Sequence, residues 1–341
     1  MKWLVFDPKP AEGSLVPTDF QEVSFLQYTS GSTSEPKGVV ITHSCLWSNL
    51  ELILQEVKAD ETTVVVSWLP QYHDMGLIGS YLGTAACGGC GYYTSPLNFV
   101  KRPSTWVEAI SEFKGTHMQA PNFAFALVVR KFEDCELDLS CARHIINGAE
   151  PIEAQVIDAF YDKFKPYGLK EVVFPTYGLA EHTVLVCTNG RDRVYLDPKA
   201  LEEKRLVESP EGRCFVGCGK PVDVKIDGEI GEILLKSSSV AKGYWGGDTF
   251  GEYLATGDEG FVRNGELFIC GRLKDLIILR GKNHYPQDVE HTVERNPNVR
   301  AGCVAAFGHD DHLFVVAEVR EHTNALAREL GEEINNEHGL K

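Results

Sequence analysis

No apolar run in this sequence is long enough to cross a bilayer, so a membrane-spanning protein is not expected. The opening stretch, MKWLVFDPKPAEG, holds a brief apolar run cut by Asp7 and Pro8, too short for a signal peptide. Positive charge is also scarce. Lysine and arginine number 33 against 49 aspartates and glutamates, a net charge of -16. This argues against nonspecific nucleic-acid binding, which needs basic residues to neutralise phosphates, and any basic site must be local. The ten cysteines are scattered; Cys87-Gly-Gly-Cys90 is the closest pair, and no second pair at ligand spacing accompanies it. They read as reduced, mostly buried thiols, which points to a reducing, cytoplasmic compartment.

At 341 residues, 43% of them hydrophobic and 24% charged, the chain is globular and long enough for two or more domains. Single cores stop growing at roughly 250 to 300 residues. From residue 20 to about 187, short β-rich runs alternate with helical patterns, the signature of an α/β domain with parallel strands. Strands are expected at 23–28, 39–42, 63–67, 90–93, 144–147 and 172–174, and helices at 44–58, 75–86, 103–114, 121–131 and 151–164. In the last helix Ile152, Val156, Phe160 and Phe164 recur as one buried stripe, with Pro151 where a first turn tolerates it. After residue 187 the segments 212–225, 232–236, 252–255 and 266–270 are short and glycine-punctuated, predicting a small antiparallel sheet or distorted barrel. From about residue 276, a strand, a helix at 286–294, strands at 301–307 and 313–319 and a helix at 324–336 describe a small α+β unit.

Residues 28–38, YTSGSTSEPKG, follow the first expected strand. Four hydroxyls (Thr29, Ser30, Ser32, Thr33), flexible Gly31 and the charge of Lys37 suit a loop whose donors converge on phosphate oxygens. It is not a Walker A loop, because Lys37 precedes Gly38 and the apolar run Val39, Val40, Ile41 instead of opening a helix. A Ser/Gly surface turn is the plain alternative.

Four further motifs follow in order: LPQYHDMG at 69–76, YGLAE at 177–181, YLATGD at 253–258 and GRLKDLIILRGKNHYP at 271–286. With the loop, they make the chain resemble the adenylate-forming enzymes, which include acyl-CoA synthetases, peptide-synthetase adenylation domains and luciferases. Within that superfamily it looks most like the fatty acyl-AMP ligases, through FLQYTSGST at 25–33, LPQYHDMGLIG at 69–79, QAPNFAFAL at 119–127, INGAEPI at 146–152 and ILRGKNHYPQDVE at 278–290. Segment 191–219 resembles the insertion by which those ligases differ from acyl-CoA synthetases, and the resemblance covers essentially the whole chain.

The resemblance implies an adenylate-forming fold of parallel α/β layers plus a small distorted β-barrel. It places a large domain at 1–270, a hinge at 271–275 and a partial small α+β domain at 276–341. It implies ATP and Mg2+ as cofactors, a fatty acid as substrate, and holo acyl carrier protein or CoA as acceptor. Thr29, Ser30, Gly31, Ser32, Thr33 and Lys37 would hold phosphates, and Tyr177 would stack on adenine beside Gly178, Gly148, Ala149 and Glu150. Asp258 and Arg272 would meet the ribose, Glu181 the Mg2+, and His73 the acyl carboxylate; Lys274 matches the pivot. Lys37, His73 and Glu181 are thus the catalytic candidates, while Met118, Ala120, Asn122 and Phe123 would line the acyl pocket. Several have a plainer reading: Tyr177 as a core aromatic, Glu150 as a carboxylate at a helix start, His73 as a satisfied polar residue, Thr-Gly-Asp as a turn, and 118–127 as a core helix face.

The match departs from the family in three places. Ser34 stands where glycine is frequent, a change of little steric consequence. The family's portion ahead of the phosphate loop has no counterpart, and no motif resembles the surroundings of the catalytic lysine near the family's carboxyl end. The chain therefore reads as a fragment or truncated paralogue, expected to adenylate poorly alone, since losing a positioned cation costs roughly two to three orders of magnitude in rate. The alternatives are a long-chain acyl-CoA synthetase and a non-catalytic nucleotide-binding regulatory module.

Overall fold

The computed structural model describes residues 19–29, 36–279, 282–310 and 312–340. Ser30, Gly31, Ser32, Thr33 and Ser34 lie outside the described residues.

Strand β1 (Val23–Tyr28) returns as β2 (Gly38–Thr42) in an antiparallel hairpin that sets Tyr28 opposite Gly38. The loop 29–37 is closed at its base, where Thr29 and Lys37 join through Thr29 N to Lys37 O at 3.0 Å and Lys37 N to Thr29 Oγ1 at 3.3 Å. All five residues of β2 are buried. Its last residue, Thr42, caps α1 (His43–Val57) by accepting from the Cys45 amide at 3.3 Å, satisfying a donor that the first helical turn leaves free.

Strand β3 (Val64–Ser67) is followed by a π-helical stretch, Met75–Leu82, that runs into α2 (Gly83–Cys87). Then come β4 (Cys90–Tyr93), α3 (Pro96–Lys101), α4 (Ser104–Phe113), β5 (His117–Pro121), α5 (Asn122–Lys131), β6 (His144–Gly148), α6 (Ala154–Phe164) and β7 (Val173–Pro175). The strands form a parallel sheet in the order β4-β3-β5-β6-β7. Rings knit its helices together: Trp68 stacks on Phe99 at 3.9 Å, and edge contacts run from Phe99 to Trp106, Phe125 and Phe160 at 6.4, 5.7 and 5.0 Å. Burying several large rings supplies most of the area-dependent stabilisation available to such a layer.

The expected α/β alternation is present, with differences. The central strand β5 was not expected, because buried His117 and Gln119 interrupt its apolar pattern. The hairpin β1-β2 is antiparallel, so the parallel sheet begins only at β3. In α6 the fully buried residues are Ile157, Phe160 and Phe164; Val156 is half-buried and Ile152 precedes the helix.

Beyond β8 (Tyr177–Gly178) and β9 (Leu185–Cys187), β10 (Arg193–Leu196) pairs antiparallel with β11 (Arg213–Val216) across α7 (Pro198–Glu202). The antiparallel sheet expected here is β12 (Val224–Lys225), β13 (Gly231–Leu235), β14 (Leu254–Arg263) and β15 (Glu266–Arg272) in sequential order, joined to the end of β11 by a bridge from Gly217 to Phe268. The last segment comprises β16 (Ile277–Leu279), β17 (Lys282–His284), α8 (Pro286–Glu294), β18 (Val299–His309), β19 (His312–Val319) and α9 (Asn324–His338), with Val289, Val293 and Ile334 in a core of their own.

The π-helical stretch depends on close backbone approach. A Cβ on Gly76 would lie 2.0 Å from the Pro70 carbonyl oxygen. Gly76→Ala is therefore expected to lower stability by about 1–3 kcal/mol, the usual cost of overpacking, and to displace loop 70–74. Urea unfolding would check it; an unchanged midpoint would mean that the loop yields freely.

Candidate active site

The carboxyl ends of the parallel strands and the loops that follow them open onto one cavity of about 810 Å3, the crevice where open α/β sheets take ligands. Residues far apart in sequence meet on its wall: Thr29, Lys37, His73, Met118, Gly148, Ala149, Gly178, Glu181, Arg272 and Lys274. Ala149 holds φ +67°, a left-handed backbone for a residue with a Cβ, where it leaves β6. Strain of that kind concentrates at ligand sites. Gly178 is obligatory for packing, since a Cβ there would lie 1.9 Å from the Val184 carbonyl oxygen.

His73 follows β3 in a loop tied back by its amide to Pro70 O at 3.1 Å. Its Nδ1 lies 2.7 Å from Asp74 Oδ1, and this hydrogen bond raises the histidine pKa against the opposing effect of burial. Gln27 Nε2 donates to Tyr72 O at 3.0 Å, fastening the histidine loop to β1 and so to the base of loop 29–37. A second polar chain holds the deeper wall: Gln119 Nε2 donates to Ser80 Oγ at 2.8 Å, and Ser80 Oγ to Ser67 Oγ at 3.0 Å.

Glu181 accepts from the Tyr244 hydroxyl at 2.7 Å, and the same ring carries Lys37 Nζ 4.8 Å from its centroid. Asp258 and Arg272 are register partners on β14 and β15, and Arg272 Nε donates to Asp258 Oδ1 at 3.1 Å. Tyr177 Oη donates to Asp258 Oδ2 at 2.7 Å, so one carboxylate ties two of the expected nucleotide residues together. Burial raises the pKa of Asp258 despite both partners and drives that of Tyr177 well above the ordinary phenol range.

Several expected site residues stand off the cavity wall. Tyr177 packs in the core with Val186, Cys187 and Leu254. Asp258 is buried behind Arg272. Glu150 is exposed and accepts from the Phe123 amide. Of the four acyl-pocket residues only Met118 lines the cavity. Ala120 is fully buried in the sheet, Asn122 accepts from Asn147 Nδ2 at 3.1 Å, and Phe123 is 46% exposed with its ring edge-on to Trp68. The chain turns into α5 at Asn122, so Asn122 and Phe123 belong to the helix, whereas Ala120 lies within β5.

The wall also includes residues that the motifs left unassigned, among them Gln27, Gln119, Glu232, Tyr244 and Thr256. Thr256 is the threonine of the Thr-Gly-Asp turn and Gln119 opens QAPNFAFAL, so a signal existed for both. Tyr244 had only its place after Gly243 in KGYWGG. Among the described residues no group of three or more His, Cys, Asp or Glu could hold a metal by itself. One of the wall carboxylates, Glu181, would suffice for an Mg2+ ion that takes most of its oxygens from phosphates and water.

A family model described as AMP-binding enzyme matches residues 4–245. The medium-chain fatty acid acyl-carrier-protein ligase JamA of Moorena producens is 35% identical, over 100% of this chain and 67% of its own length. A structure from work on the fatty acyl-adenylate ligases of E. coli and L. pneumophila superposes with a TM-score of 0.90 at 33% identity, covering 97% of this chain and 66% of that one. The L. pneumophila fatty acyl-adenylate ligase in complex with acyl adenylate and pyrophosphate superposes with a TM-score of 0.73 at 35% identity, covering 96% and 66%. The chain spans about two thirds or less of the length of such relatives.

Proposed function

The chain belongs to the AMP-binding enzyme family, and from that premise we propose that its cavity binds ATP and a fatty acid and joins them as an acyl-adenylate, for transfer to the phosphopantetheine thiol of an acyl carrier protein. The observation that carries this reading is the convergence of Thr29, Lys37, His73, Glu181, Arg272 and Lys274 on one crevice. Thr29 and Lys37 would face the departing pyrophosphate, where donors fixed in advance stabilise developing charge best. His73, kept protonated to higher pH by Asp74, would attract the acyl carboxylate and hold it toward the α-phosphorus. Asp258 and Arg272 would take the ribose hydroxyls, and the backbone at Gly148, Ala149 and Gly178 the base. Glu181 would hold Mg2+, whose chemistry is to offset phosphate charge. Met118 and the Gln119–Ser80 chain would border the acyl group. In this reading 1–270 forms the large domain, 276–341 the smaller one, and Lys274 within 271–275 the pivot between them.

Calorimetry with ATP and Mg2+, with and without a saturated fatty acid, tests binding without relying on turnover. Mass spectrometry then tests for acyl-AMP. Saturable ATP binding and a detectable acyl-adenylate are expected, and holo carrier protein is expected to discharge it faster than CoA does. Absence of any nucleotide binding would refute the reading, and faster discharge by CoA would reassign the acceptor.

A further inference from the structure

Tyr244 stands between the two charged groups on which the nucleotide reading depends. Its hydroxyl donates to Glu181 Oε1 at 2.7 Å and the face of its ring carries Lys37 Nζ at 4.8 Å. Lys37 and Glu181 are not ion-paired with each other among the described residues. Opposite charges this close to one side chain would otherwise gain by meeting, and the pair so formed would neutralise both groups before any ligand arrived.

Tyr244 is held from both sides by backbone. Val40 N donates to Gly243 O at 2.9 Å, Lys242 N to Val40 O at 3.1 Å and Trp245 N to Gly38 O at 2.7 Å, which lays segment 242–245 along β2, the strand that leaves the lysine loop. One residue earlier, Ala241 N donates to Glu181 O at 2.9 Å, so the same segment also fixes the carboxylate's backbone. Phe250 packs edge-on against the Tyr244 ring at 5.1 Å and sets its plane.

Resting on the nucleotide reading, we propose that Tyr244 is a positioning residue that keeps Lys37 and Glu181 apart and aimed at the polyphosphate and its metal. The hydroxyl fixes the plane of the carboxylate through Oε1, and the ring face gives the ammonium a resting place that does not use up its charge. The part of the ligand that Tyr244 serves is therefore the triphosphate with Mg2+, whereas AMP alone does not call on it.

The test compares dissociation constants for metal-free AMP and for ATP with Mg2+ on the full chain, by calorimetry. Tyr244→Phe keeps the ring and removes the hydroxyl, and it is expected to weaken Mg-ATP about tenfold while leaving AMP within about twofold. Tyr244→Leu removes both contacts and is expected to weaken Mg-ATP further, again sparing AMP. In a Glu181→Gln background, Tyr244→Phe should have little additional effect, because the two groups act as one unit. Equal Mg-ATP affinity in Tyr244→Phe and the parent would overturn the proposal, as would a parallel loss of AMP affinity, which marks a merely structural tyrosine. If Tyr244→Leu fails to fold, Tyr244→Phe alone decides. A parent chain that binds neither nucleotide would overturn the nucleotide reading itself, a result distinct from either failure above.

Discussion

Lowering the pH from 7 toward 4 is expected to remove several kcal/mol of folding stability through two buried histidines. His182 is fully buried, its Nδ1 2.8 Å from Leu185 O and its Nε2 2.6 Å from Ser237 Oγ. That geometry suits a neutral ring, donating from Nδ1 and accepting at Nε2. His144 is 5% exposed, stacked on Phe174 at 4.2 Å and bonded through Nε2 to Asn189 Oδ1 at 2.9 Å. Burial pulls both down from 6.5 to about 4. Between those values the unfolded chain binds more protons than the folded one, so stability is full above pH 6.5 and falls as pH drops toward 4. Each histidine contributes roughly 3 kcal/mol to that loss. Asp138, held at about 2 chiefly by Ser140, titrates below this window. Urea unfolding at pH 7.5, 5.5 and 4.5 measures the slope, to which His117, His284 and His338, also lowered by burial, add in the same direction, and His182→Gln should flatten it measurably. A midpoint that stays constant down to pH 4.5 would show that neither ring is held neutral.

Asp258→Ala is expected to weaken nucleotide binding about a hundredfold under the proposed ribose assignment, because it removes a carboxylate that would accept two ribose hydroxyls, each bond to a charged group being worth roughly 1.5 kcal/mol or more. It also removes the carboxylate that accepts from the buried Tyr177 hydroxyl and takes from Arg272 the bond at 3.1 Å that aligns it on the cavity wall. Losing such a buried hydrogen bond costs about 1–3 kcal/mol, so stability should fall along with affinity. Tyr177→Phe separates the two effects. It keeps Asp258 in place, and AMP affinity near the parent value would identify Tyr177 as a supporting core residue, whereas a clear loss would indicate a more direct part in binding. An AMP dissociation constant unchanged in Asp258→Ala would refute the ribose assignment.

Much of this architecture was legible from periodicity and punctuation. Helices with continuous apolar stripes and strands bounded by glycine were placed within a few residues, because burial of one face imposes those periods. Strand β5 was hidden because polar side chains that find partners inside the protein, His117 on Val57 O and Gln119 on Ser80, look in sequence like solvent-facing ones. The short helix α3 carries too few residues to show a period, whereas the helix expected at 75–86 is present as the π-helical stretch Met75–Leu82 running into α2. At the site, the ordered motifs pointed to Thr29, Lys37, His73, Glu181, Arg272 and Lys274, and the fold gathers all six on one cavity. They did not reveal that Ala120, Asn122 and Phe123 lie off its wall: Ala120 is buried within β5, and at Asn122 the chain passes into α5.

The order and spacing of residues thus determined the kind of fold and which chemical groups are available, because local propensity and apolar period act along the chain. Only the tertiary structure decided which groups meet. Tyr244 between Lys37 and Glu181, and Tyr177 with Arg272 on Asp258, join residues separated by 63 positions or more in three of the four contacts. Such contacts depend on where β2, β8 and β14 are brought together by burial, a property of the packed layers that no local stretch of sequence contains.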